Sequence, residues 1–315
     1  MPTQKLRYRL LILIRHHTII LLITLLTCFN FDINASPGGI PADSNQISTR
    51  QQALAFLDSL QRLDSSKYWP NADPVLFLEN LKVFTTTPFK FYEGKGTNFC
   101  SYFALTYLPL TYDPLGFSRC MVELYQKGKA RMGKVMLKPG AAVRREAGLL
   151  KYKGPLDISP AGQIWFLTLA DHFKGYVNWL NLRFHDGDEN TIWASTNFAK
   201  FNRMLRKLFP VKVHAKGADL IRPWVNDLPA YLDQKLKDGP IFLYLNNRLL
   251  YKKTHVVTRF GIPTHFVLLL DISRSENNKI NITYWDYGKK TVQQVDEEFL
   301  RKIIFGITDY TIKKK

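Results

Sequence analysis

The spacing of apolar positions changes along this chain, and the change separates two kinds of structure. From Ser48, a residue able to cap a helix, Leu54, Leu57, Leu60 and Leu63 recur every three positions and predict a helix. Asp73-Pro74 opens a second, with an N-cap followed by proline at the first helical position. Periodicity then fails from Phe84 to Asn98, around Thr85-Thr86-Thr87-Pro88 and Gly94-Lys95-Gly96, so this stretch reads as strand and loop. Ser101 to Leu108 predicts a short apolar helix ended by Pro109. Met121 to Pro155 is basic and glycine-punctuated, with weak periodicity. Ser159-Pro160 starts a clear helix to Phe173. Ser195 heads another, with Phe198, Phe201, Leu205 and Leu208 on one face before Pro210.

Beyond Pro210 the period shortens toward two. Val211 to His214 is a short strand, and Asp227 caps a helix, Leu228 to Lys237, closed by Gly239. The strand Ile241 to Leu245 follows, then the apolar run Phe266 to Leu270, a turn at Glu276-Asn277-Asn278, and the alternating Ile280 to Trp285. Thr291 to Val295, a helix Glu297 to Ile304 capped by Asp296, and a strand Ile307 to Ile312 complete the chain. Helices first and a mostly antiparallel sheet later make this an α+β protein. No internal repeat is visible.

The amino terminus follows a different logic. Lys5, Arg7 and Arg9 precede an almost wholly apolar run, Thr18 to Phe29, and Ile33-Asn34-Ala35 offers a cleavage site before Ser36. This is the pattern of an export signal, and the run is short for a membrane span of about 20 residues. An uncleaved anchor is the alternative. Cys28 lies in only a faint likeness of a bacterial lipoprotein box, with Thr27 where Gly or Ala is usual. The expected organisation is residues 1–35 export signal or anchor, 36–47 linker, 48–84 helical prefix, and 85–315 the main domain.

Charge narrows the partners. The net charge is +18; residues 1–35 hold four basic groups and one acid, so +15 stays on the rest. Such a field favours anionic surfaces, including a cell envelope. Lys and Arg are scattered from Lys127 to Lys315 and no nucleic-acid-binding motif accompanies them, so nucleic acid is not the expected partner. Neither a metal-ligand spacing nor a phosphate-cradling glycine motif occurs, and no cofactor is expected.

Three residues carry the chemistry. Cys100 stands where a glycine-bearing loop enters a helix, and a helix amino terminus favours the thiolate, which is the nucleophile. The bland alternatives are a buried core thiol or a disulfide to Cys120. His265 opens an apolar strand at its loop end, where a general base facing a cleft would sit. His255 is the rival, but Lys252, Lys253 and Arg259 beside it disfavour an imidazolium. Asp286 ends the hairpin partner strand before Tyr287-Gly288 and can orient the imidazole. Asp271 lies on the His265 strand but six residues along, about 20 Å away. His172 and His185 read as surface residues, and Trp165, Trp179, Trp193 and Trp224 as core or as the lining of a carbohydrate cleft.

A cysteine on a short helix, a helix–Asp238-Gly239-Pro240–strand passage, His265 opening an apolar strand, and a strand ending Asp286-Tyr287-Gly288 come in a familiar order. In it the chain resembles the papain-like cysteine peptidase superfamily, in its bacteriocin-processing (double-glycine) branch, over about Phe91 to Tyr310. The resemblance implies a papain-like α+β fold, a thiolate–imidazolium pair of Cys100 and His265 oriented by Asp286, and amide-bond hydrolysis through an acyl-enzyme. Its substrates would be peptides or cell-wall peptides. The family usually carries a Gln about six residues before its cysteine to bind the oxyanion, and often Gly-Pro after it. Here Gly94 and Ser101-Tyr102 stand there, and Asn98 with the Cys100 backbone N–H is the substitute donor. These departures leave open a non-catalytic module binding an anionic partner; within the enzyme class, a peptidoglycan amidase or toxin is the alternative to a peptidase.

Overall fold

The computed structural model describes residues 46–94, 96–150, 158–174, 183–251 and 263–313. The expected export signal, most of the linker, Trp179 and His255 lie outside them. No described helix is long and apolar enough to cross a membrane.

Helix α1 (Arg50–Ser59) is capped by Thr49 rather than Ser48, in a reciprocal box with Gln52. The Ser48 hydroxyl instead donates to Asp113 at 2.6 Å. Helix α2 (Pro74–Thr86) starts as expected, with Asp73 accepting from the Leu76 amide. It runs past Phe84, and no strand forms among the described residues between Phe84 and Asn98. The hydroxyls of Thr85 and Thr87 bond back to the carbonyls of Leu81 and Val83, extending the helical turn until Pro88 forces the exit.

Helix α3 (Cys100–Tyr112) does not stop at Pro109, which lies inside it. Every position but one from Ser101 to Tyr112 is buried, so packing outweighs the missing hydrogen bond. What ends α3 is Asp113-Pro114, which caps the next helix, α4 (Pro114–Lys127), in the manner of Asp73-Pro74. A small hairpin, β1 (Ala130–Met132) with β2 (Val135–Leu137), and α5 (Ala141–Glu146) fill the basic stretch. Helix α6 (Pro160–Phe173) has its expected Ser159 cap. In α7 (Phe198–Leu208) the cap is Asn197, because the Ser195 hydroxyl donates to the Thr191 carbonyl instead.

The remaining chain supplies β3 (Val211–Gly217), α8 (Leu228–Leu236), β4 (Ile241–Leu245), β5 (His265–Arg274), β6 (Ile280–Asp286), β7 (Lys289–Val295), α9 (Glu297–Ile303) and β8 (Ile304–Ile312). These strands form one sheet ordered β3-β8-β4-β5-β6-β7, antiparallel throughout. The architecture is α+β. Both faces of the central strands are covered, which is why β4 and the start of β5 read as unbroken apolar runs. Phe242, Tyr244, Phe266, Leu268 and Trp285 face the helical body; Ile241, Leu243, Val267, Leu269 and Ile282 face Leu228, Leu232, Leu300 and Ile303 of α8 and α9.

The helical prefix is part of the main core. Phe77 of α2 is fully buried and stacks on Tyr125 of α4 at 4.3 Å, and Leu57, Trp69 and Leu81 belong to the same cluster as Phe103 and Phe166. Trp165 and Trp193 are buried core residues, while Trp224 is exposed. Phe77→Ala should therefore lower the stability of the whole domain by about 3–5 kcal/mol in one cooperative transition. Urea unfolding followed by both fluorescence and circular dichroism reads this, and a separate early transition would mean that the prefix folds independently.

Candidate active site

Helix α3 and strands β5 and β6 bring the three residues picked from the sequence to one place. Cys100 is the first residue of α3, whose amino terminus has no side-chain cap. Its first-turn amides are thus left without a side-chain acceptor, and Cys100 opens that turn. The preceding loop is held firmly. The Thr97 hydroxyl donates to the Glu93 carbonyl at 2.9 Å, and the Asn98 amide N–H donates to the Glu189 carbonyl at 2.8 Å. Gly96, at φ +98°, supplies the left-handed backbone needed just before Thr97.

His265 is the first residue of β5, paired with Leu245, and is buried. The pairing of Leu268 with Trp285 brings the end of β6 alongside the start of β5, so Asp286 meets the imidazole. His265 Nε2 lies 2.7 Å from Asp286 Oδ1. The Cys100 thiol is the other group that acts on the imidazole, for which Nδ1 is the nitrogen remaining. Asp286 is fully provided with donors: the Tyr287 N–H reaches Oδ1 at 3.0 Å and the Tyr251 hydroxyl donates to Oδ2. Burial works against a charged His265, but Asp286 and Cys100 outweigh it and raise its pKa well above the usual imidazole value.

Tyr287 explains the Asp-Tyr-Gly sequence. β6 and β7 are joined by a two-residue turn in which Tyr287 has φ +47° and Gly288 φ +66°, the left-handed pair a tight hairpin demands. Proline, locked near −65°, cannot occupy that position. The Tyr287 ring stacks on His265, centroids 5.2 Å apart, and covers the imidazole. The turn itself leans on the loop before Cys100, since a Cβ at Gly288 would come within 3.0 Å of the Phe91 carbonyl oxygen.

The cysteine opens onto a cleft of about 380 Å³, floored by Tyr244 and Phe266 and rimmed by Asn98, Thr196, Asp219 and Leu220. A cavity of about 390 Å³ against Cys120 and the end of α3 contains none of these three residues, so the chemistry assigns the site to the Cys100 cleft. Asn98 therefore stands beside the nucleophile. Its side-chain nitrogen donates to the Thr191 carbonyl at 2.8 Å, which ties the loop down and leaves one N–H over. Cys100 and Cys120 are both free thiols. Burial raises Cys120 to about 12, keeping it an inert core thiol.

One residue escaped the sequence reading. Glu93, seven positions before Cys100, is 1% exposed and lies against Asp286 and His265, with ligand-type atoms of the three within 4.8 Å of one another. Burial, then the neighbouring Asp286, raises its pKa well above the carboxylate range, against the opposing pull of His265. The set has the makings of a cation site, yet His265 and Asp286 sit 2.7 Å apart. That is a hydrogen-bond distance, shorter than the roughly 3.3 Å between two ligands of a tetrahedral zinc with bonds near 2 Å. The signal for Glu93 in the sequence is its place: a carboxyl next to Gly94, where the papain-like pattern has an amide side chain.

No protein-family model, curated protein or solved structure matches this chain. Function must therefore be argued from the site. Asp286 is the larger of the two groups that outweigh burial at His265, so Asp286→Ala should lower the His265 pKa, read from the ring protons by NMR. The same linkage fixes a stability trend. A raised folded pKa stabilises fully below about pH 6.5 and the contribution fades as pH climbs through the folded value. Asp286→Ala should cost about 3–5 kcal/mol near pH 6 and less at alkaline pH; a cost independent of pH would contradict the charged pair.

Proposed function

We propose that this protein is a papain-like cysteine hydrolase that cleaves amide bonds through an acyl-enzyme. The observation that carries the reading is His265, buried, bonded to Asp286 and acted on as well by the thiol at the start of a helix. A nucleophile, a base and an orienting acid in that order are what acyl transfer requires.

In the first step Cys100 Sγ adds to the amide carbonyl carbon, and the carbonyl electron pair moves onto oxygen. The Cys100 backbone N–H and the remaining Asn98 side-chain N–H are the donors for that oxyanion. The C–N bond then breaks as His265 gives its proton to the leaving amine. Water, deprotonated by His265, adds to the thioester, and the C–S bond breaks to release the acid and restore the thiolate–imidazolium pair. Asp286 holds the imidazole in the tautomer that serves both transfers, and the Tyr287 ring limits water at its face.

The apolar floor of the cleft favours a peptide carrying an apolar side chain near the scissile bond. The +15 charge beyond residue 35 suits work at an anionic envelope surface after export, on peptides or cell-wall peptides. The test is to present the purified protein with a peptide library and, separately, with purified cell wall. New amino termini should appear from one of the two, and Cys100→Ala should reduce the rate by at least about 10³. Cleavage of peptides alone marks a peptidase, and of cell wall alone a peptidoglycan amidase. Cleavage that survives in Cys100→Ala, or none in either substrate, would favour a non-catalytic module of the same fold.

A further inference from the structure

Glu93 has no part in the steps above, yet it is buried in their midst. Neither of its carboxyl oxygens has a hydrogen-bond partner of good geometry, and the one donor near them is the residue's own backbone N–H. The groups that act on it are Asp286 from β6, His265 from β5 and the Cys100 thiol from α3, and Tyr287 in the turn after β6 responds to it in turn. His265 is the one cationic group among these, and its charge is already engaged by Asp286 and Cys100. Ionising Glu93 as well would place a second, unsolvated carboxylate within 4.8 Å of the first, with no side-chain donor to support it.

The two carboxyls are unequal in what surrounds them. Asp286 accepts from His265 Nε2, from the Tyr287 N–H and from the Tyr251 hydroxyl, three bonds that stabilise the ionised form. Glu93 accepts none of good geometry. A single proton shared between two adjacent acids settles on the one whose anion is worse supported. We infer that Glu93 is a second acid of the site and carries its proton in the folded protein, leaving Asp286 as the single carboxylate beside His265.

The role this gives Glu93 rests on the hydrolase reading. His265 must release its proton to the leaving amine, and each anion beside it resists that release. At an effective dielectric near 20, a second full charge at about 5 Å would hold the proton on the order of a hundredfold or more tightly. A neutral Glu93 avoids this while filling the space behind the catalytic pair. It is a positioning residue, acting through Asp286 and His265.

The test uses proton linkage, which a merely structural carboxyl would not show. An acid that stays protonated in the folded state and ionises in the unfolded one stabilises most below its unfolded pKa of about 4.3. Above that pH the stabilisation declines until the folded group ionises too. Glu93→Gln keeps the shape and removes the proton. Between pH 5 and 8, equilibrium unfolding of the full chain should show the wild-type folded-to-unfolded ratio falling, relative to Glu93→Gln, by a factor approaching ten per pH unit. In the wild type labelled with carboxyl-¹³C glutamate, infrared spectra at pH 7 should show an un-ionised carboxylic acid among the label-shifted bands, a readout that needs no variant. A pH-independent difference together with no such band would overturn the inference. So would stoichiometric Zn²⁺ binding by the wild type, absent in Glu93→Gln, since a cation and not a proton would then satisfy Glu93. Ordinary reactivity of the Cys100 thiol with the infrared band present would sink the hydrolase and leave the protonated Glu93 standing.

Discussion

The packing of Trp285 against Phe103 holds the site together. Both rings are fully buried, with centroids 4.0 Å apart, and the indole N–H donates to the Phe89 carbonyl at 2.9 Å. Phe103 lies one turn along the helix from Cys100, and Trp285 is the neighbour of Asp286. One aromatic contact therefore fixes the helix that carries the thiol relative to the strand that carries the acid. The hydrogen bond to Phe89 adds the segment leading to Glu93. His265 then needs only the β5–β6 pairing to fall between Cys100 and Asp286. Aromatic burial of this kind contributes several kcal/mol, enough to offset part of the cost of enclosing charge nearby.

That cost is considerable, because a thiol, an imidazole and two carboxyls share one buried region. The arrangement is tolerable because each charge has an answer. Asp286 has three donors, His265 lies between two acceptors, and the helix terminus faces the sulfur. Tyr287 accepts a left-handed backbone, a cost of about 1–2 kcal/mol, and its stacking on His265 compensates. Glu93 alone lacks a partner, and a proton resolves it. Groups whose neighbours push their ionisation apart are what acid–base chemistry uses.

Much of this was legible in the sequence, and the exceptions have physical causes. His265 and Asp286 were readable because strand alternation and a short turn fix which residues end up side by side. The helices at Pro74 and Pro160 were readable because an Asp or Ser cap followed by proline is a local signal. The same signal at Asp113-Pro114 is masked by Pro109, four residues earlier, which itself reads as a helix stop. Propensity predicted that stop, and the burial of α3 overrode it. The prefix read as a separate element, since periodicity says which face is apolar and not what covers it. Glu93 was hidden for a related reason: its meaning lies in burial without a partner, which only the fold creates.

The central claim is that Cys100 and His265 form an activated pair, and the rate of Cys100 alkylation by iodoacetamide against pH tests it most directly. The account predicts fast alkylation that persists below about pH 6 in the wild type and is lost in His265→Ala. A rate that follows an ordinary thiol, rising only toward a pKa of about 8.5, and is unchanged by His265→Ala would contradict it.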